Sequence, residues 1–150
     1  MRIAKVLTVV VPALVLSTLP VHADGPFQYH PITPCRLADT RYGNGGVMVP
    51  SADRSFQVQG VCAVPSGAKA VSLNVTVVAT GGGGYLTLYP SNVTRPTNVS
   101  TINFVRGDVV ANGAIVPLGP MGAPPNADLR VFAGTGGNVD VILDVSGYFQ

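Results

Sequence analysis

Glutamate and tryptophan are absent from this chain, and lysine stands only at positions 5 and 69. A helix with a solvated face draws heavily on Glu and Lys, so their scarcity excludes a helical bundle. A glycosidase pair of carboxylates would have to come from the seven aspartates. Past position 22 the only histidine is His30. It would have to be the base of any hydrolytic triad, yet it sits between Pro26 and Pro31, and no G-x-S-x-G elbow occurs. Two cysteines and one histidine fall short of a zinc set. These gaps predict a protein that is not an enzyme and that needs no cofactor or metal.

Glycine, valine, threonine and proline take the place of the missing helix formers, a β-rich and turn-rich composition. The start differs from the rest. Arg2 and Lys5 precede an apolar run from Val6 to Leu19, and Val21-His22-Ala23 has the small or apolar residues of a cleavage site. That pattern predicts a secretory signal peptide over residues 1–23 and a single mature domain over 24–150. The run is short for a membrane span and no basic stop-transfer cluster follows, so no stable membrane insertion is expected. Without Arg2 and Lys5, seven basic residues face seven acidic ones and the net charge is zero. Such a balance carries no footprint for nucleic acid. In an exported chain Cys35 and Cys62 are expected to pair, which stabilises the fold by about 3–4 kcal/mol in the chain-entropy model.

Alternation of period two marks the strands. Val71, Leu73, Val75 and Val77 alternate with Ser72, Asn74 and Thr76; Val139, Val141, Leu143 and Val145 alternate with Asp140, Ile142 and Asp144. Gly147 then permits a kink or bulge before Tyr148 and Phe149. Asp24–Pro34 reads as an extended opening whose prolines suit a sheet edge. Leu86 and Leu88 point inward and Tyr85, Thr87 and Tyr89 outward. Gly81–Gly84 reads as a turn needing positive φ. Asn112-Gly113 is either a hairpin turn or, preferred, a bulge within one strand. Leu129–Ala133 and Val139–Val145 read as a final hairpin about Gly134–Gly137. Eight or nine short strands with close turn signals predict an antiparallel, jelly-roll-like β-sandwich.

Four groups of residues are candidates for function. Arg36, Asp39 and Arg41 form the densest charge cluster. They read as a carboxylate-gripping fork or, preferred, as a structural ion pair. On a regular strand Leu37, Asp39 and Arg41 share one side and Arg36 faces the other. Tyr85 and Tyr89 offer either a stacking platform for sugar rings or, preferred, a second packed layer. Asp140 and Asp144 stand roughly 13 Å apart on a strand and cannot chelate calcium alone. The opening segment, with Phe27, Tyr29 and Ile32, is a strand that can be lent to a neighbour. Zero net charge and scarce lysine leave sheet edges poorly guarded, which points to self-association. The tripeptide Arg106-Gly107-Asp108 and the sequons at Asn74, Asn92 and Asn98 carry no weight.

Taken together, Pro34–Arg41, Leu73–Val78, Gly84–Pro90, Ile102–Phe104, Ala111-Asn112 and Asp144–Phe149 resemble a secreted β domain of extracellular proteins from actinobacteria, myxobacteria and related soil bacteria. The resemblance spans nearly the whole mature chain. It implies an accessory or repeated module with no assigned chemistry, here expected to stand alone. The reading is therefore a secreted, non-enzymatic structural subunit whose partners are copies of itself. A module that binds polysaccharide or cell wall is the alternative.

Overall fold

The computed structural model describes residues 25–122 and 127–150. The signal-peptide expectation over 1–23 lies outside them. Eight strands form among the described residues, with no helix: β1 (Tyr29–Asp39), β2 (Asp53–Phe56), β3 (Ala70–Val78), β4 (Gly84–Pro90), β5 (Ile102–Phe104), β6 (Val109–Pro117), β7 (Leu129–Thr135) and β8 (Asp140–Phe149). They make two four-stranded sheets, ordered β1-β8-β3-β6 and β2-β7-β4-β5. Every pairing is antiparallel. Strand 1 lies beside 8, 2 beside 7, 3 beside 6 and 4 beside 5. A chain folded back on itself and then rolled gives this order, which is that of a jelly roll.

The period-two residues build the core. Val71, Val75 and Val77 of β3, Val141, Leu143 and Val145 of β8, and Leu129, Val131 and Ala133 of β7 are fully buried. Each valine or leucine of this set contributes about 1.5–3 kcal/mol by leaving water. β6 runs unbroken through Asn112-Gly113 in one register with β3, so that dipeptide is neither a hairpin turn nor a bulge.

The expected final hairpin is not formed. β7 belongs to the second sheet and β8 to the first, so Gly136 and Gly137 carry the chain across the sandwich. Gly81–Gly84 makes the opposite crossing, and the two crossings run back to back. Only Gly84 among those four has a positive φ. A Cβ at Gly82 or Gly137 would collide with the backbone of the facing crossing. Close approach, not turn conformation, is what requires glycine here.

Cys35 of β1 is bonded to Cys62 in the β2–β3 connection, with Cα atoms 5.6 Å apart. The bond pins the edge of the first sheet to the chain that leaves the second. Buried Asp128 fixes the same connection from the other side. Its carboxylate accepts the backbone N–H groups of Val58 and Gln59, both at 2.7 Å. Gln59 is buried as well; its amide nitrogen donates to the Gly119 carbonyl and its amide oxygen accepts from the Gly67 N–H.

Candidate functional site

The two outer faces of the sandwich differ, and the difference sorts the candidate residues. On the second sheet a segment of irregular chain covers the outer face. Thr101 N–H donates to the Leu86 carbonyl, its hydroxyl accepts from the Leu88 N–H, and the Thr87 hydroxyl donates to the Val99 carbonyl. The Arg95 guanidinium sits 3.8 Å from the centre of the Phe132 ring. Beneath this strap Tyr89 is only 3% exposed, so for this residue the packed layer, not the open stacking platform, is what forms. Its hydroxyl donates to Asp53, which also accepts from Arg130 Nε at 3.1 Å. Burial and the Asp53 carboxylate push the Tyr89 phenol up to about 12. Tyr85 lies flat across Gly134, its ring 6.3 Å from that of Phe132. The two tyrosines are thus not a shared platform: one is packed and the other is half-covered.

The outer face of the first sheet is open, and here the charge cluster assembles. Arg36 is opposite Asp144, but Ala38 is opposite Leu143, so Leu37 is an extra residue in β1. This bulge inverts the alternation after Arg36. Arg36 therefore shares a face with Asp39 and Arg41 instead of pointing away. Its guanidinium grips Asp144 through Nε at 2.6 Å and Nη2 at 3.2 Å, and reaches Asp39 through Nη1 at 3.0 Å. Arg41 grips Asp39 from the other side at 2.9 and 2.7 Å. The Arg41 hydrogen bonds hold the Asp39 carboxyl at about 2, below the usual carboxylate range, with its backbone N–H and the Arg36 charge helping. Both guanidiniums are pushed up in turn, Arg36 chiefly by Asp144 and Arg41 chiefly by Asp39.

Asp140 and Asp144, the weak calcium pair, are engaged separately. Asp140 accepts from the Thr40 hydroxyl at 2.9 Å, while Asp144 is held by Arg36.

The opening segment is used within its own sheet. Gln28 exchanges backbone hydrogen bonds with Gln150, Tyr29 is opposite Phe149 and Pro31 is opposite Gly147. Ile32 packs partly against the core. Tyr29 lies on the outer face, 5.2 Å from the Phe149 ring, and its hydroxyl donates to the Ser146 carbonyl at 3.2 Å. The bulge that Gly147 was expected to allow falls at Ser146, the residue skipped in the β3 pairing. Gly147 instead seats the Tyr29 ring, which would meet any Cβ there.

The four sheet edges are unequal. β2 and β5 are only four and three residues long. β1 carries Pro31, Pro34 and two register shifts. β6 is nine residues long, keeps one register and has no charged side chain. Ladder alternation, extended from the Ala79–Asp108 and Lys69–Leu118 bonds, turns the backbone groups of Val109, Ala111, Gly113 and Ile115 outward. Among the described residues no other segment bonds them. Val109 is 69% and Ile115 65% exposed. Sequence reading missed this edge because the bulge preferred at Asn112-Gly113 would have guarded it, and because strand order is not written in local alternation.

No protein-family model, no curated protein and no solved structure matches this chain.

Proposed function

We propose that the protein is an exported, non-enzymatic structural subunit that associates with itself through the β6 edges of its first sheet. The unguarded length of β6 carries the reading. Natural sheets blunt their edges with short strands, proline, bulges or charge. β1, β2 and β5 each use at least one of these devices, whereas β6 has only a terminal proline, Pro117, and none over residues 109–116. A second copy supplies the missing partner. An antiparallel pair centred on Gly113 sets Ala111 opposite Ile115 of the second copy and satisfies the outward backbone groups of Ala111, Gly113 and Ile115 in both, while Val109 falls opposite Pro117, which has no N–H to donate. That pair is the unit from which a surface fibre or layer grows. Two further features support the reading. Zero net charge over residues 24–150 removes the repulsion that keeps copies apart. The Cys35–Cys62 bond is compatible with an oxidising, extracellular setting, where such bonds persist.

The opening segment is a poorer vehicle for association. Lending it would break its pairing with β8 and unseat Tyr29 from Gly147. The test is light scattering and negative-stain microscopy on oxidised residues 24–150 across a concentration series. The mass is expected to rise to a pair or a larger regular assembly, and Val109→Lys with Ile115→Lys is expected to hold the protein as a monomer. A wild-type monomer at every concentration would rule the proposal out.

A further inference from the structure

The open outer face of the first sheet has a consistent chemistry from end to end. At one end Tyr29, 47% exposed, is held flat on the sheet by Gly147 beneath it, Phe149 beside it and its hydroxyl bond to Ser146. At the other end Tyr42 is 85% exposed, with the Arg41 guanidinium 5.1 Å from its ring centre. Between them lies a hollow of about 540 Å³ lined by Pro34, Arg36, Asn74, Asp144 and Ser146 among others. Its side chains donate and accept hydrogen bonds. The Ser72 and Ser146 hydroxyls are 3.0 Å apart, and the exposed Asn74 amide contacts only the Thr76 hydroxyl at 3.4 Å. From Tyr29, opposite Phe149, to Arg36, opposite Asp144, the strip runs roughly 15 Å along β8. That is room for a short chain of linked rings, not a single small molecule.

We infer that this strip binds a neutral polysaccharide. The charges on it cancel locally: Arg36 and Arg41 are matched by Asp39 and Asp144. A polyanion finds no net attraction there, and a cation finds each carboxylate already gripped by arginine. Hydroxyl-rich rings suit what remains. Paired arginine–carboxylate groups and amides offer donors and acceptors at fixed positions. An exposed aromatic ring offers an apolar face for the C–H side of a sugar. A peptide added as a strand would use the β6 edge, not this face. The site is separate from the β6 edge and does not depend on self-association.

Affinity electrophoresis of the oxidised protein through gels containing soluble xylan, hydroxyethyl cellulose, glycol chitin or dextran tests the inference. Polygalacturonate serves as the anionic control. At least one neutral polymer is expected to retard the protein, and added salt is expected to leave that retardation unchanged. Tyr29→Ala is expected to weaken it about tenfold, the loss of one aromatic contact. Asn74→Ala, at an exposed side chain outside the core, is expected to weaken it with unfolding temperature unchanged. Tyr85→Ala is expected to leave it intact. The inference is overturned if no neutral polymer retards the protein. It is also overturned if Tyr85→Ala abolishes binding that Asn74→Ala spares, or if only polygalacturonate binds and salt releases it.

Discussion

Asp39 receives two arginines at once, and that arrangement couples its carboxyl to folding at acid pH. Its carboxyl is held at about 2 in the fold and would rise toward 3.8 on unfolding. The unfolded chain then binds the proton first, so stability is full above about pH 4 and falls as the pH drops through 4 toward 2. Asp39→Asn is expected to flatten that part of a plot of Tm against pH. An unchanged slope would show that the other aspartates carry it. Tyr89 works in the opposite sense. Its phenol, pushed up to about 12 from 10, favours folding below pH 10 and loses that contribution between 10 and 12. Steric limits at the crossings are equally local. Gly137→Ala places a methyl group against the Gly81 backbone and is expected to cost about 1–3 kcal/mol in urea unfolding. Gly43→Ala meets nothing within 4 Å and is expected to stay within about 0.5 kcal/mol of wild type.

Within single elements, hydrogen exchange separates a free edge from a paired one. In monomeric protein the amides of Val109, Ala111, Gly113 and Ile115 are expected to exchange fast, while those of Val110, Asn112 and Ala114 are protected by β3. At concentrations where the protein associates, the first set is expected to become protected too. Fast exchange of that set in the assembled form would place the contact elsewhere. Strands such as β3 and β8 were legible because their inward valines repeat at strict period two. What was not legible is anything set at a distance. One extra residue, Leu37, reverses the side on which Arg36 lies, and no composition signal marks it. Tyr89 alternates outward as expected, yet the chain that buries its face reads as a loop around Arg95 and as a strand over Asn98–Val105, of which only Ile102–Phe104 forms one, and neither reading marks a cover. The β7–β8 glycines read as a hairpin because local sequence cannot distinguish a turn within a sheet from a crossing between sheets. The cysteine pairing was legible, since two cysteines allow only one intramolecular bond. Closing its separation of 27 residues is expected to contribute about 3–4 kcal/mol, read as the difference between oxidised and reduced protein in urea.

For the whole molecule, the proposed edge and the proposed strip are linked by symmetry. Two β6 strands joined antiparallel make one continuous eight-stranded sheet from two copies of β1-β8-β3-β6. The twofold axis of such a join stands perpendicular to the sheet. Both outer faces then point the same way, and the two strips lie on one surface of the pair. A long polymer can engage both at once, whereas a short oligosaccharide engages one. The second contact on a polymer is intramolecular, so retention by polymer should exceed that of a single face by about a hundredfold or more. Val109→Lys with Ile115→Lys is therefore expected to lower retention on immobilised polysaccharide by that factor. The same variant should keep the wild-type affinity for a short oligosaccharide measured by calorimetry. Equal retention of variant and wild type on polymer would mean that the two faces do not act together. A loss that appears equally with the oligosaccharide would mean that the lysines disturb the strip itself.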